Sequence, residues 1–255
     1  MPIFAFKLFM TPIMIGLVTF AGRRWGAVIS GLLIGLPLTS GPISFILACE
    51  FGQAFSAKAA IGSLAGEISV CMFCLMYACA AKRSDWLPCV CMSIGAFLCS
   101  TVVLNRVVWQ LIPVSVCLVL VIWLVAKLIP QSPDKFAPIS PPRWDLPARM
   151  VIATGFVILL TSLADALGPQ LSGLCSPFPI YGIVFAAFTH AQQGARAAAN
   201  LCRGIVLSAI GFAAFFVVVG AVLTRLDMAL TYLLATLMAL AATGIYYRVT
   251  CREVA

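Results

Sequence analysis

Apolar residues dominate the chain and are interrupted at regular intervals by one or two charges. Divided at those interruptions, the sequence gives nine apolar runs, at 3–21, 26–49, 59–79, 86–104, 107–128, 150–167, 168–189, 201–223 and 226–247. Each is near the roughly 20 residues that a helix needs to cross a bilayer core. None alternates with the two-residue period of a half-buried strand. The pattern predicts an all-α polytopic membrane protein with about nine transmembrane helices. The first run lacks a basic leading segment and an Ala-x-Ala site, so it is expected to be a span and not a cleaved signal peptide.

Two of the nine runs are interrupted inside. The second contains Gly35-Leu36-Pro37-Leu38-Thr39-Ser40-Gly41-Pro42, and the seventh contains Ser176-Pro177-Phe178-Pro179-Ile180-Tyr181-Gly182. Prolines and glycines at that depth break a helix and leave backbone groups without partners. In a membrane such a break survives only where it is buried in protein or lines a polar cavity. Paired breaks in corresponding spans of two halves are the sequence pointer to a carrier's binding site.

The two halves correspond beyond their breaks. Setting residue n against n+140 aligns Pro37 with Pro177, Ile43 with Ile183, Phe45 with Phe185, Gln53 with Gln193, Ala57 with Ala197 and Ala59 with Ala199. Spans one to four then match spans six to nine, with span five as a linking helix that inverts the second copy. The expected organisation is a single membrane domain. Repeat one covers about 3–104, the linking helix 107–128, a Pro-rich cytoplasmic linker 129–146 and repeat two about 147–247.

Charge fixes an orientation. With connections assigned alternately to the two sides, eleven Lys and Arg fall on one side and four on the other, with Arg203 counted as intramembrane. The richer side is expected to be cytoplasmic. That places the N-terminus outside, the C-terminus in the cytoplasm and the protein in the plasma (inner) membrane.

Composition narrows the function classes. Hydrophobic residues make up 63% and charged residues 9% of the 255 residues, against about 25% charged in ordinary soluble domains. The net charge of +8 comes from basic residues scattered singly between apolar runs, which reads as topology and not as a nucleic-acid surface. The eleven cysteines lie mostly within apolar runs, without His or acidic partners at ligand spacing. They read as small packing residues, and no metal or cofactor is expected. There is no Gly-x-Ser-x-Gly elbow, His-Glu-x-x-His or Walker sequence, and a single histidine gives an enzyme little to work with.

The candidate site residues follow from the breaks and the few ionisable groups. Each helix that restarts after a break presents free N–H groups and a partial positive charge to the membrane centre, a seat for a carboxylate or small anion. The expected substrate-binding set is Pro37, Thr39, Ser40, Gly41, Pro42, Ser176, Pro177, Pro179, Tyr181 and Gly182. Glu67, in the middle of span three, is the leading candidate for ion coupling, because an intramembrane carboxylate is costly. Arg203 in span eight could pair with it or reach the lipid surface. Glu50 and His190 share a column of the repeat, as do Gln53 and Gln193, and could line equivalent vestibules. Gly62/Gly66 and Gly204/Ser208 form small-residue faces that allow close packing within a protomer or between the protomers of a homodimer.

These features point to a secondary active transporter that moves a small polar solute with an anionic group by alternating access. The expected driver is a proton at Glu67, with Glu50 and His190 as relays and Arg203, Gln53 and Gln193 in the same coupling set, and Na⁺ held by broken-helix carbonyls is the competitor. A passive channel or facilitator of the same fold, and a membrane subunit or scaffold acting only with a partner, are the alternatives.

Overall fold

A computed structural model describes the backbone of residues 2–129, 144–167 and 178–252, and side chains within 8–129, 144–159 and 178–246. The described residues form ten helices and no strand. They are α1 (Pro2–Trp25), α2 (Ala27–Gly35), α3 (Ser40–Phe51), α4 (Gln53–Ala80), α5 (Trp86–Leu104) and α6 (Leu111–Leu128). After the undescribed 130–143 come α7 (Asp145–Leu167), α8 (Ile180–Gln193), α9 (Ala195–Val222) and α10 (Met228–Arg252). Among the described residues, six stretches are long and apolar enough to cross a membrane: Ala27–Phe51, Gln53–Ala80, Trp86–Leu104, Leu111–Leu128, Ala195–Val222 and Met228–Tyr246. The chain is an α-helical membrane protein.

Several boundaries differ from those the sequence predicts, for one physical reason. α4 starts at Gln53 and not near 59, and α9 at Ala195 and not near 201. The turn before each is a single glycine, Gly52 at φ +88° and Gly194 at φ +86°. That region, with ψ near 160–175°, is open essentially to glycine alone. One such residue reverses the chain, so no polar loop is needed and Lys58 and Arg196 lie inside helices. Gly26 (φ +91°) makes the same corner between α1 and α2. Similarly α7 begins at Asp145, inside the stretch expected to be linker.

α9 is the central helix, packed against α2, α4, α6, α8 and α10. Lipid tails are as apolar as leucine, so association here depends on close fit and not on water release. α2 meets α9 through Gly31 and Gly35 facing Gly204 and Ser208. A methyl group built on Gly31 would lie 2.1 Å from the Leu201 carbonyl oxygen, and one on Gly35 2.0 Å from the Ser208 hydroxyl. The backbones touch there, and only hydrogen fits. Around α9 the largest fully buried side chains, among them Phe73, Tyr77, Phe97, Phe185 and Phe216, fill the interior.

Candidate functional site: two interrupted helices

The first interruption runs from Leu36 to Thr39, between α2 and α3. The Leu38 N–H donates to the Leu36 carbonyl (2.7 Å), a tight turn centred on Pro37, and the Gly41 N–H donates to the Pro37 carbonyl (2.9 Å). The second predicted break is described only from Phe178 on, at the start of α8. There the Ile180 N–H donates to the Phe178 carbonyl (2.9 Å) and the Ile183 N–H to the Pro179 carbonyl (2.9 Å). Pro179, at φ −81° and ψ 59°, has the dihedrals of an inverse γ-turn. The two sets of bonds coincide when n is set against n+142.

That spacing recurs through both halves. It pairs the Gly52 corner with the Gly194 corner and the bounds of α4 with those of α9. It pairs Gly62 with Gly204, and Asp85, which precedes α5, with Asp227, which precedes α10. Phe73 lies against Gly182 at the start of α8, and Phe215 lies against Gly41 at the start of α3. Thr101 of α5 donates to Ser69 of α4 (2.9 Å), and Thr243 of α10 meets Gly211 of α9. These bonds and corners coincide at 142, whereas the sequence identities align at 140. At a spacing of 142, Glu50 falls opposite Gln192 and not His190, and Gln53 opposite Ala195 and not Gln193.

The start of α3 is more satisfied than the sequence predicts. Of its first four positions, Pro42 has no N–H, Gly41 donates to Pro37 and Ile43 to the Thr39 carbonyl (3.2 Å). Only the Ser40 N–H lacks an acceptor among the described residues. At α8 the Tyr181 and Gly182 N–H groups lack one among the described residues, and Pro177, four residues before Tyr181, lies outside them. Ser176 and Pro177 lie outside the described residues. Pro37 and Gly41 are buried, Thr39 and Ser40 half-buried, Pro42 exposed. Pro179 and Tyr181 are half-buried, Gly182 buried, and the Tyr181 hydroxyl lies 3.3 Å from Thr11 Oγ1 on α1.

Glu67 is buried in α4, and its Oε1 has no hydrogen-bond partner. Arg203 does not pair with it. Its Nη1 donates to the carbonyls of Ala126 and Ile129 (the latter at 2.6 Å), at the end of α6. A cation on the last carbonyls of a helix caps it, so this arginine ties α9 to α6. His190 lies with Nδ1 3.4 Å from the Tyr77 hydroxyl. Gln53 is half-buried, and Glu50 and Gln193 are exposed.

Two polar clusters were not singled out by the sequence. Asp145 Oδ1 accepts from Arg149 Nε (2.8 Å) and Gln192 Nε2 (2.6 Å), and Oδ2 accepts from Arg23 (3.2 Å). Burial opposes the charged form of Asp145. The hydrogen bonds and charge of Arg149, with those from Gln192 and Arg23, outweigh it and hold the carboxyl below its ordinary range. The Arg149 guanidinium also lies 4.9 Å from the Phe188 ring centre and 5.0 Å from that of Phe185. The network joins α1, α7 and α8 at one end of the bundle. The legible signal was the Asp145/Arg149 spacing of four at a helix start. The second cluster is Ser44, Ser56 and Tyr232, whose hydroxyls are 2.8–3.2 Å apart. It ties α3, α4 and α10 together. Among the described residues no group of three His, Cys, Asp or Glu could hold a metal ion.

Comparison with protein-family models, curated proteins and solved structures finds no match to this chain.

Proposed function

We propose that this chain is a secondary active transporter built from two inverted four-helix repeats, with α6 as the helix that joins them. The observation that supports this most is the agreement of the two interruptions, bond for bond, at a spacing of 142 residues. Two unrelated kinks have no reason to share a turn type, a proline and the same pair of backbone bonds. α6 touches both α4 and α9, as a linker between equivalent halves should.

In this reading the interrupted helices hold a small polar solute, with the α8 start seating its anionic group. Glu67 binds the coupling proton. A carboxylate buried with an unpaired oxygen is costly as an ion. It can therefore lose its proton only in a conformation that brings water or a cation to it. Alternating access supplies such a conformation. The driving force suffices: one charge crossing 100 mV is worth about 2.3 kcal/mol, roughly a fiftyfold gradient. Glu50 and His190, which no longer share a column, are left out of the mechanism. The orientation with N-terminus outside, in a plasma membrane, belongs to the same proposal.

The first experiment is a thermal-shift screen of detergent-purified protein against small carboxylates, inorganic anions, amino acids and Na⁺ at two pH values. A ligand that binds the folded state raises Tm by mass action. The proposal expects a carboxylate to stabilise, and the stabilisation to be lost in Gly182→Val, which crowds the α8 start. Stabilisation by no anion in well-folded protein would count against it.

A further inference from the structure

The first interruption also borders an apolar space, and Pro37, Gly41 and Pro42 of the expected solute-binding set stand in its wall. A cavity of about 560 Å³ lies between it and α10, lined by Leu36, Pro37, Phe45, Phe215, Tyr232 and Leu240 among others. The volume is within the roughly 300–1,000 Å³ typical of small-molecule sites. Its walls are almost wholly apolar. Tyr232 and Thr236 carry the hydroxyls of its lining, and both are bonded within the protein, Tyr232 to Ser44 and Ser56 and Thr236 to the Tyr232 carbonyl (2.8 Å). Water in such a space would find few partners.

The opening of the cavity shows what can enter. Leu38 (40% exposed), Phe45 (37%) and Leu240 (55%) stand at its rim, and Leu233 and Leu237 extend the same exposed apolar surface along α10. In a membrane-spanning helix that surface faces lipid. The cavity is therefore continuous with the hydrocarbon phase. Along α10 it runs from Tyr232 to Leu240, about 12 Å at 1.5 Å per residue. One leaflet of a roughly 30 Å hydrocarbon core is about 15 Å deep. The end nearer Tyr232 is the end that carries the Gly52 corner and the α9–α10 turn, with exposed Lys58 and Arg225.

We propose that this groove is a binding site for the acyl chain of a bilayer phospholipid from the leaflet at that end. The chain inserts between α3 and α10 and touches the interrupted backbone at Leu36 and Pro37. The occupant is apolar because the lining is almost wholly apolar and the exposed rim is leucine and phenylalanine. This site does not depend on the transport reading, and holds whether or not the chain carries a solute.

The test uses full-length protein in nanodiscs containing a phosphatidylcholine with a diazirine on one acyl chain. After photolysis, labelled peptides are mapped by mass spectrometry over a range of probe mole fractions. A site saturates, whereas annular contact rises in proportion to the probe. Labelling of the peptides bearing Leu36–Ile46 and Tyr232–Leu240 should saturate at low mole fraction. Labelling around Ile112 and Leu120, exposed residues of α6, should stay proportional. Leu240→Trp, at an exposed rim position, should cut the groove labelling several-fold and leave that of α6 unchanged. The titration of wild-type protein stands without the variant if the variant does not fold. Proportional labelling at the groove overturns the proposal. So does saturable labelling by a diazirine fatty acid but not by the phospholipid, which would assign the site to a free fatty acid.

Discussion

Pro37 and Pro179, 142 residues apart, each sit at the centre of a turn closed by an N–H two residues after the carbonyl that accepts it. Leu38 donates to Leu36 in one, and Ile180 to Phe178 in the other. A proline fixes φ near −65° and gives up no donor that the turn needs. A new helix follows, at Ser40 in one and Ile180 in the other, and a phenylalanine from a long helix covers its first turn, Phe215 at Gly41 and Phe73 at Gly182. The interruptions are thus held by packing on both sides, as unsatisfied backbone within a membrane has to be.

The α2–α9 contact should be the least forgiving in the bundle. Gly35→Ala places a methyl against Ser208 Oγ and the Ile205 carbonyl, and backbone cannot yield as a side chain can. Overpacking of this kind costs about 1–3 kcal/mol. Thermal unfolding in detergent should show a clear fall in Tm for Gly35→Ala. It should show little for Gly62→Ala, where no atom lies within 4 Å of the added carbon.

Asp145 should hold the α1–α7–α8 corner together through its charge. Asp145→Asn keeps the shape but leaves Arg149, 5% exposed at the side chain, without its counter-ion. Breaking a buried pair costs about 3–5 kcal/mol. The folded carboxyl lies below its ordinary value, so its contribution is complete above the unfolded value of about 3.9 and is lost as pH falls through the lowered one. The Tm gap between wild type and variant should be constant from pH 8 to 5 and close only below about pH 4. A gap that closed between pH 7 and 5 would assign the effect to another group.

Tyr232→Phe removes one hydroxyl from the cluster with Ser44 and Ser56. The two serines still bond to each other, and Ser56 also donates to the Ser44 carbonyl (2.9 Å). The loss should therefore be near the net value of a hydrogen bond, about 1 kcal/mol. Ser56→Ala removes the hub and should cost more. Equal effects in a Tm comparison would contradict this ordering.

The sequence carried the apolar helices and the break between α2 and α3, because runs of apolar residues and helix-breaking prolines are local signals. Its identities align at 140, two residues from the spacing at which the backbone bonds coincide. Identities such as Phe45/Phe185 arise readily in a chain so rich in Phe, Ile and Ala, whereas the Gly52 and Gly194 corners mark the register by φ and not by composition. Asp145 was read as linker because a Pro-rich stretch precedes it, and its partners Arg23 and Gln192 are remote in sequence. Arg203 was placed correctly within a helix, but only packing could direct it to the carbonyls of α6. The apolar groove beside Pro37 was not legible at all, since its walls come from α3, α9 and α10.

The central claim is that Glu67 couples a proton to solute movement. The most direct test is uptake into proteoliposomes of the carboxylate found in the thermal-shift screen, driven by an inward proton gradient, for wild type and Glu67→Gln. The account predicts that wild type concentrates the solute and stops when the gradient is collapsed. Glu67→Gln should show the same ligand-induced Tm shift and still exchange labelled solute, yet accumulate none. Gradient-driven accumulation by Glu67→Gln at the wild-type level would contradict the account.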